Sequence, residues 1–277
     1  RFSGSKGSQA YWFDILETRR MLSVTSDSDF VFSNGIITSY AGSGGEVVIP
    51  SMIGGQAVTG IGEEAFYYAD VTSVVIPNGV TSIGRWAFGG APLRSVAIPS
   101  TVTSIGGYAF FDCEYLSTVT IPNSVTSIEE STFSWCTSLT NITIPNSVAR
   151  IGDGAFYVAS SLRSVTIPGS VTSIGHAAFR KASSLTGVTF KGNAPTIGID
   201  AFADVAPGAQ AYRAPGLTGY GAVGGDFHGL IVANAYEAPT PPRSVVGIAG
   251  NGQVSLSWSP PLSDGGSAVM DYICLLY

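Results

Sequence analysis

Ser104-Ile-Gly-Gly-Tyr-Ala-Phe-Phe-Asp-Cys-Glu-Tyr-Leu-Ser-Thr-Val-Thr-Ile-Pro122 decides the fold, because the chain rewrites this stretch on both sides of it. The Ile-Pro pair recurs at Ile49, Ile76, Ile98, Ile121, Ile144 and Ile167. An aromatic anchor recurs at Phe66, Phe88, Phe110, Phe133, Phe156, Phe179 and Phe202, so the period settles at 23 residues. Self-similarity at that spacing marks a stacked array, in which each unit buries its apolar face only against its neighbours. Such an array offers an extended surface and not an enclosed pocket, which points to binding or scaffolding.

Each coil reads Leu-x-x-Val-x-Ile-Pro, a turn, Val-Thr-Ser-Ile-Gly, then x-x-Ala-Phe. Leu116, Val119 and Ile121 face inward above Leu139, Ile142 and Ile144, a short strand repeated into a parallel ladder. Pro122 ends the strand by removing a donor, and Asn123 turns the chain. Val125 and Ile128 are three residues apart, so both face inward only if the second extended segment bends. Ala109-Phe110 is predicted to sit on one turn of helix or 3-10 helix, with the ring filling the core. At the start of the array, Asn34-Gly35 lies between alternating residues, a strong hairpin signal, and is predicted to cap the first coil.

The 277 residues are 45% hydrophobic and only 12% charged, with 35 glycines, enough to fill a core and to rely on hydroxyl and backbone groups for solubility. A formal charge of −6 argues against nucleic acid, whose phosphates require a basic stripe. No run is apolar enough for a membrane span. Three cysteines are too few for a disulfide framework. Cys113 and Cys136 occupy a small-residue slot held elsewhere by Ala69, Ala91, Ala159, Ala182 and Val205. Buried free thiols and a bond between adjacent coils are both open there; Cys274 lies in a separate segment.

The pattern Ser-Val-Thr-Ser-Ile-Gly-x-x-Ala-Phe-x-x-Cys-x-x-Leu-x-x-Val-x-Ile-Pro, almost intact from Ser100 to Pro122, resembles the BspA-type leucine-rich repeat, and the resemblance covers about residues 30–232. It implies a right-handed, β-rich α/β leucine-rich-repeat solenoid with short helical or 3-10 turns, here seven coils of about 23 residues. It further implies a bacterial secreted or surface-attached protein of a family associated with adhesion. The chain departs from the pattern at Glu129, which replaces Gly, at Ala149-Arg150, which replaces Thr-Ser, and at Phe190-Lys191, which replaces Ile-Pro. Phe13-Asp-Ile-Leu-Glu-Thr-Arg-Arg-Met-Leu-Ser23 resembles the LEPR-XLL motif of exported proteins, with Thr18 in place of Pro. From Gly250 through Trp258 to Tyr272 the chain resembles the opening of an all-β fibronectin type III sandwich, with Trp258 as core Trp, and stops short of the ~100 residues such a module needs. The expected domains are a poorly ordered segment 1–26, the repeat domain 27–233 with a cap at each end, a Pro-rich linker 234–243 and a truncated module 244–277.

No motif for catalysis emerges. His176 falls in the outward slot held elsewhere by Glu63, Arg85, Gly107, Glu130 and Asp153, and His228 lies in the C-terminal cap, so neither is predicted to serve as a base. Asp27 and Asp29 lack the Gly and distal Glu of a calcium loop, and Asn141-Ile-Thr143 fits a glycosylation sequon inside a predicted strand. No enzyme activity, metal or cofactor is therefore expected. Two surface constellations remain. One is the outward column of the main strand, Val75, Ala97, Thr120, Thr143, Thr166 and Thr189, flanked by Ser73, Ser95, Thr118, Asn141 and Ser164, a flat hydroxyl ladder. The other is aromatic: Tyr67, Tyr68, Trp86, Tyr108, Phe111, Tyr115, Trp135 and Tyr157 lie within five residues of an anchor Phe, and Trp and Tyr are favoured interface anchors. The reading is a monomeric extracellular or cell-surface adhesion module binding a protein or glycan through this edge. The alternative is a passive spacer in a larger secreted protein.

Overall fold

Three columns of inter-coil hydrogen bonds carry the architecture; the computed structural model describes residues 25–234 and the backbone of residues 243–250 and 253–259. The first ladder stacks nine short strands in parallel, hydrogen-bonded as a group of five (Gly45–Val48, Val71–Val75, Ser95–Ala97, Thr118–Thr120 and Asn141–Thr143) and a group of four (Ser164–Ile167, Gly187–Phe190, Gln210–Arg213 and Leu230–Asn234). Register advances one coil at a time, Val119 facing Val96 on one side and Ile142 on the other. The second ladder pairs Ile36–Tyr40, Gly60–Ile61, Ser82–Ile83 and Ser104–Ile105, then resumes as Ser127–Ile128, Arg150–Ile151, Ser173–Ile174 and Thr196–Ile197. Val125 and Ile128 are both buried, as the bend requires.

The stack thus has about nine turns, two more than the seven coils expected. The seven are those with an anchor Phe. Gln210–Arg213 and Leu230–Asn234 carry no motif yet continue the pairing, because a ladder is built from backbone groups and needs only a small or apolar inward residue such as Ala211 or Val232.

The third column also departs from expectation. Ala109-Phe110 and its equivalents form no helix; among the described residues the only helical segment is the 3-10 turn Asp27–Asp29. Instead, alternate amides serve different partners. The N–H groups of Ala109, Phe111 and Cys113 close turns within the coil, while those of Tyr108, Phe110 and Asp112 donate to the carbonyls of Glu130, Thr132 and Ser134 in the next coil, at 2.9, 3.0 and 2.8 Å. Turning alternate amides along the stack axis places two residues per coil at positive φ, which ends any helix: Tyr108 and Asp112 here, Trp135 and Val158 further on.

A left-handed conformation costs an L-residue about 1–2 kcal/mol, and β-branched residues suffer most. Val158 holds φ at 59°. Val158→Asn, which tolerates that conformation, is expected to raise stability by about 1 kcal/mol, read as a higher urea midpoint at unchanged slope; an unchanged or lower midpoint counts against the strain.

The anchor phenylalanines stack into one pillar. Phe66, Phe88, Phe110, Phe133, Phe156, Phe179 and Phe202 are all buried, with successive ring centroids 4.9, 5.5, 5.5, 5.6, 5.0 and 5.3 Å apart and planes within 17° of parallel. Columns of buried Leu (Leu93, Leu116, Leu139, Leu162, Leu185) and β-branched residues fill the rest of the core. At the N-terminal end the Asn34-Gly35 turn joins Phe30–Ser33 to Ile36–Tyr40, and the rings of Phe30 and Tyr40 lie on Phe66. At the other end Asp226–Phe227 folds antiparallel onto Leu230–Asn234, and Phe190, Tyr220 and Phe227 close the pillar.

Arg243–Gly250 and Gln253–Ser259 form an antiparallel hairpin, described for its backbone alone. The LEPR-XLL-like run, residues 235–242 of the expected linker, the Trp258 side chain, Tyr272 and Cys274 lie outside the described residues.

Candidate functional site

Four of the eight aromatic candidates sit at positive φ. Tyr68, Trp86, Tyr108 and Trp135 occupy left-handed positions of the turn column, with φ of 52°, 57°, 60° and 63°, and the repeat uses the same slots in every coil. Glycine fills them at lowest strain and does so at Gly90 and Gly154. Large rings in the other slots are held outward on a backbone that is fixed from both sides by inter-coil hydrogen bonds.

The structure brings five of the eight candidate rings into one cluster. Tyr68 packs edge-on to Tyr67 at 4.5 Å, Tyr67 meets Trp86 at 5.5 Å, and Trp86 stacks on Tyr108 at 4.4 Å with planes 16° apart. Phe111 completes the group, 4.9 Å from Trp86 and 5.8 Å from Tyr108. Trp135 and Tyr157 form a separate pair at 6.2 Å. Ser131 and Ser134, in the same coil as Trp135, fill the slots that hold Tyr108 and Phe111 one coil earlier, and so interrupt the row. Tyr115 stands alone beneath the guanidinium of Arg94 at 5.6 Å. Tyr68 and Tyr115 are the most exposed, at 61% and 52%, with Tyr67 and Trp135 at 41% each.

Several residues that shape this surface carry no signal when the anchors are counted alone. Gly89 and Gly90 are its floor: a Cβ on Gly89 would lie 2.8 Å from Trp86 and 3.1 Å from Tyr67, and one on Gly90 would overlap the Tyr68 ring. Arg85 crosses the bare backbone of Gly107 to place its guanidinium 4.6 Å over Tyr108. The Tyr108 hydroxyl donates to Glu130 Oε1 at 2.6 Å, and that bond, followed by burial, raises its pKa. Asp112, next to Phe111, has its pKa raised by burial first and by Glu114 second. Arg85, Gly107 and Glu130 share one outward column at the repeat period, which is the signal that exposes them.

The other candidate features stay apart. Cys113 and Cys136 are free and buried, each thiol donating at 3.2 Å to a carbonyl, Phe88 and Phe110 respectively. Burial pushes both thiols up in pKa, so neither is a nucleophile near neutral pH. His176 and His228 are exposed in different coils; the backbone amide of His176 donates to Asp153 Oδ1, and the His228 ring lies against Phe227. The hydroxyl ladder is present as a flat outward surface, Thr120 facing Thr143 and Thr166 facing Thr189. It is interrupted by a cleft of about 230 Å³ between Asn141–Thr143 and Ser164–Thr166, where the first ladder passes from one sheet to the next. Among the described residues no group of three or more His, Cys, Asp or Glu side chains is placed to hold a metal, and no helix is long and apolar enough to cross a membrane.

Residues 59–186 match the BspA-type leucine-rich repeat region in six copies. Among solved structures the chain is similar to a leucine-rich-repeat protein of T. pallidum, at 32% identity and a TM-score of 0.60 over 66% of this chain and 89% of that one. It is also similar to a leucine-rich cell surface protein of Faecalibacterium prausnitzii A2-165, at 31% identity and a TM-score of 0.48 over 63% of this chain and 56% of that one. No curated protein matches the chain.

Proposed function

Because the chain belongs to the BspA-type leucine-rich-repeat family, we propose that it is a non-enzymatic recognition module of the cell exterior, binding a protein or glycan through the turn edge of its first five coils. One observation carries this reading: the contiguous cluster of Tyr67, Tyr68, Trp86, Tyr108 and Phe111 on a rigid backbone. Exposed Tyr and Trp supply large contact area at small entropic cost, since each has two side-chain torsions. Their backbone is pre-ordered by the inter-coil hydrogen bonds, so association need not order a loop. The Trp135–Tyr157 pair and Tyr115 extend the same edge and serve as peripheral contacts.

The test is binding of the full chain to immobilised extracellular-matrix proteins and glycans, beside a Tyr68→Ala, Trp86→Ala, Trp135→Ala variant with unchanged circular dichroism. Saturable binding that falls at least tenfold in the variant is expected. Absence of saturable binding by the folded chain overturns the recognition reading and favours a spacer holding other parts of a larger protein away from a surface. Binding that survives the three substitutions rules out the aromatic edge.

A further inference from the structure

The aromatic half of the array is also its acidic half. Between Glu63 and Asp153 the chain has eight carboxylates (Glu63, Glu64, Asp70, Asp112, Glu114, Glu129, Glu130, Asp153) against three arginines, whereas residues 154–213 have five Lys or Arg against two Asp. Among the described residues, ion pairs are confined to Arg180 with Asp200 and Asp204, in the basic half. Among the described residues, the carboxylates beside the rings therefore have no cationic partner within 4.0 Å. Arg150 lies on the second ladder, opposite Ser127.

The cations that do reach this edge show how it handles positive charge. Arg85 lies over Tyr108 at 4.6 Å, Arg94 over Tyr115 at 5.6 Å and Lys181 over Tyr157 at 5.7 Å. A cation over a ring face is attracted by the negative face of the ring, more strongly as water is excluded. Beside Tyr115, a recess of about 210 Å³ is lined by Gly90, Pro92, Asp112 and Glu114, with room for a guanidinium or ammonium head.

We propose that the ligand of this edge is a cationic, Lys- or Arg-rich polypeptide segment, one basic side chain seating between Tyr115 and the carboxylates of Asp112 and Glu114, and others lying on the rings of Tyr68 and Trp135. The inference rests on the recognition reading above and narrows its partner to one chemistry. Charge complementarity selects a basic protein over a neutral glycan, and ring faces combined with carboxylates suit a guanidinium better than a simple metal ion.

The experiment is titration of the full chain with fluorescein-labelled octa-arginine, with octa-glutamate and a neutral gluco-oligosaccharide as comparators, at 0.05 and 0.5 M NaCl. Saturable binding of octa-arginine is expected, at least tenfold weaker at the higher salt, with octa-glutamate inert. Asp112→Asn with Glu114→Gln is expected to weaken it at least tenfold. Glu46→Gln, which removes an exposed carboxylate from a first-ladder strand, is expected to leave it unchanged. Equal loss on Glu46→Gln, or no loss in the Asp112, Glu114 variant, overturns the site, the former by showing attraction to net charge alone. If the gluco-oligosaccharide binds and only the aromatic variant abolishes it, the recognition reading stands and the cationic partner fails.

Discussion

Phe133→Ala is expected to destabilise the protein by about 3–5 kcal/mol, the cost of removing a buried phenylalanine and leaving its cavity, and to split unfolding into two transitions. The ring has no exposed surface and stacks on Phe110 at 5.5 Å and Phe156 at 5.6 Å, so its removal opens the middle of the pillar. Position makes the loss larger than volume alone predicts. In a solenoid each coil is held by its neighbours, and stability is close to a sum of nearest-neighbour terms. Between the coils of Phe110 and Phe133 the second ladder is already interrupted, so coupling there depends on the first ladder, the turn-column hydrogen bonds and this ring stack. Urea unfolding followed by Trp fluorescence, with Trp86 and Trp135 on either side of the gap, reads both effects. A single transition displaced by less than about 1 kcal/mol, against the 3–5 expected of such a truncation, rejects the pillar as the coupling element.

The parts of the fold that follow from side-chain type are legible in the sequence. The Phe column, the Leu column and the inward Val and Ile of each strand recur at fixed spacing, and their burial requires parallel stacking. What depends on backbone alone is not legible. Gln210–Arg213 joins the ladder with no motif, because pairing asks only for free N–H and C=O groups at the right height. The turn column reads as a helix start because Ala-Phe is a reasonable helical pair, whereas Trp86, Val158 and Lys181 at positive φ are residues that no propensity would place there. The site divides the same way. Its rings are visible as a row, but whether they touch depends on small neighbours, Gly89 and Gly90 allowing Tyr67, Tyr68 and Trp86 to close together and Ser134 separating Trp135 from Phe111.

The interruption of the second ladder coincides with one residue that breaks the glycine column, and exchanging residues at that slot tests whether it is the cause. Gly62, Gly84, Gly106, Gly152, Gly175 and Gly198 end the second-ladder segment in successive coils, and each amide donates to the Ile carbonyl of the coil before, at 2.7–2.8 Å. A Cβ on Gly84 would lie 2.6 Å from the Gly62 carbonyl carbon and the Glu63 nitrogen, and one on Gly106 would lie 2.7 Å from the Arg85 nitrogen. Only a bare Cα fits that spacing. Glu129 occupies this slot in the coil of Phe133, and it is there that pairing from Ser104–Ile105 to Ser127–Ile128 is absent, together with the equivalent hydrogen bond to Ile105. The Glu129 side chain instead accepts from Ser127 Oγ at 2.5 Å. Gly84→Ala is therefore expected to push its coil off the one before and cost about 1–3 kcal/mol, with faster amide exchange at Thr81 and Gly84. Glu129→Gly is expected to close the existing gap. Restored ladder bonds are worth about 0.5–1.5 kcal/mol each, partly offset by the greater chain entropy of glycine, about 0.5–1 kcal/mol, so the gain in stability is small while slowed exchange of the amide at position 129 is the decisive readout. If Gly84→Ala leaves stability and exchange unchanged, the spacing tolerates a side chain and the gap at Glu129 needs another cause. If Glu129→Gly leaves its amide in fast exchange, the glutamate is a passenger in a coil already held apart.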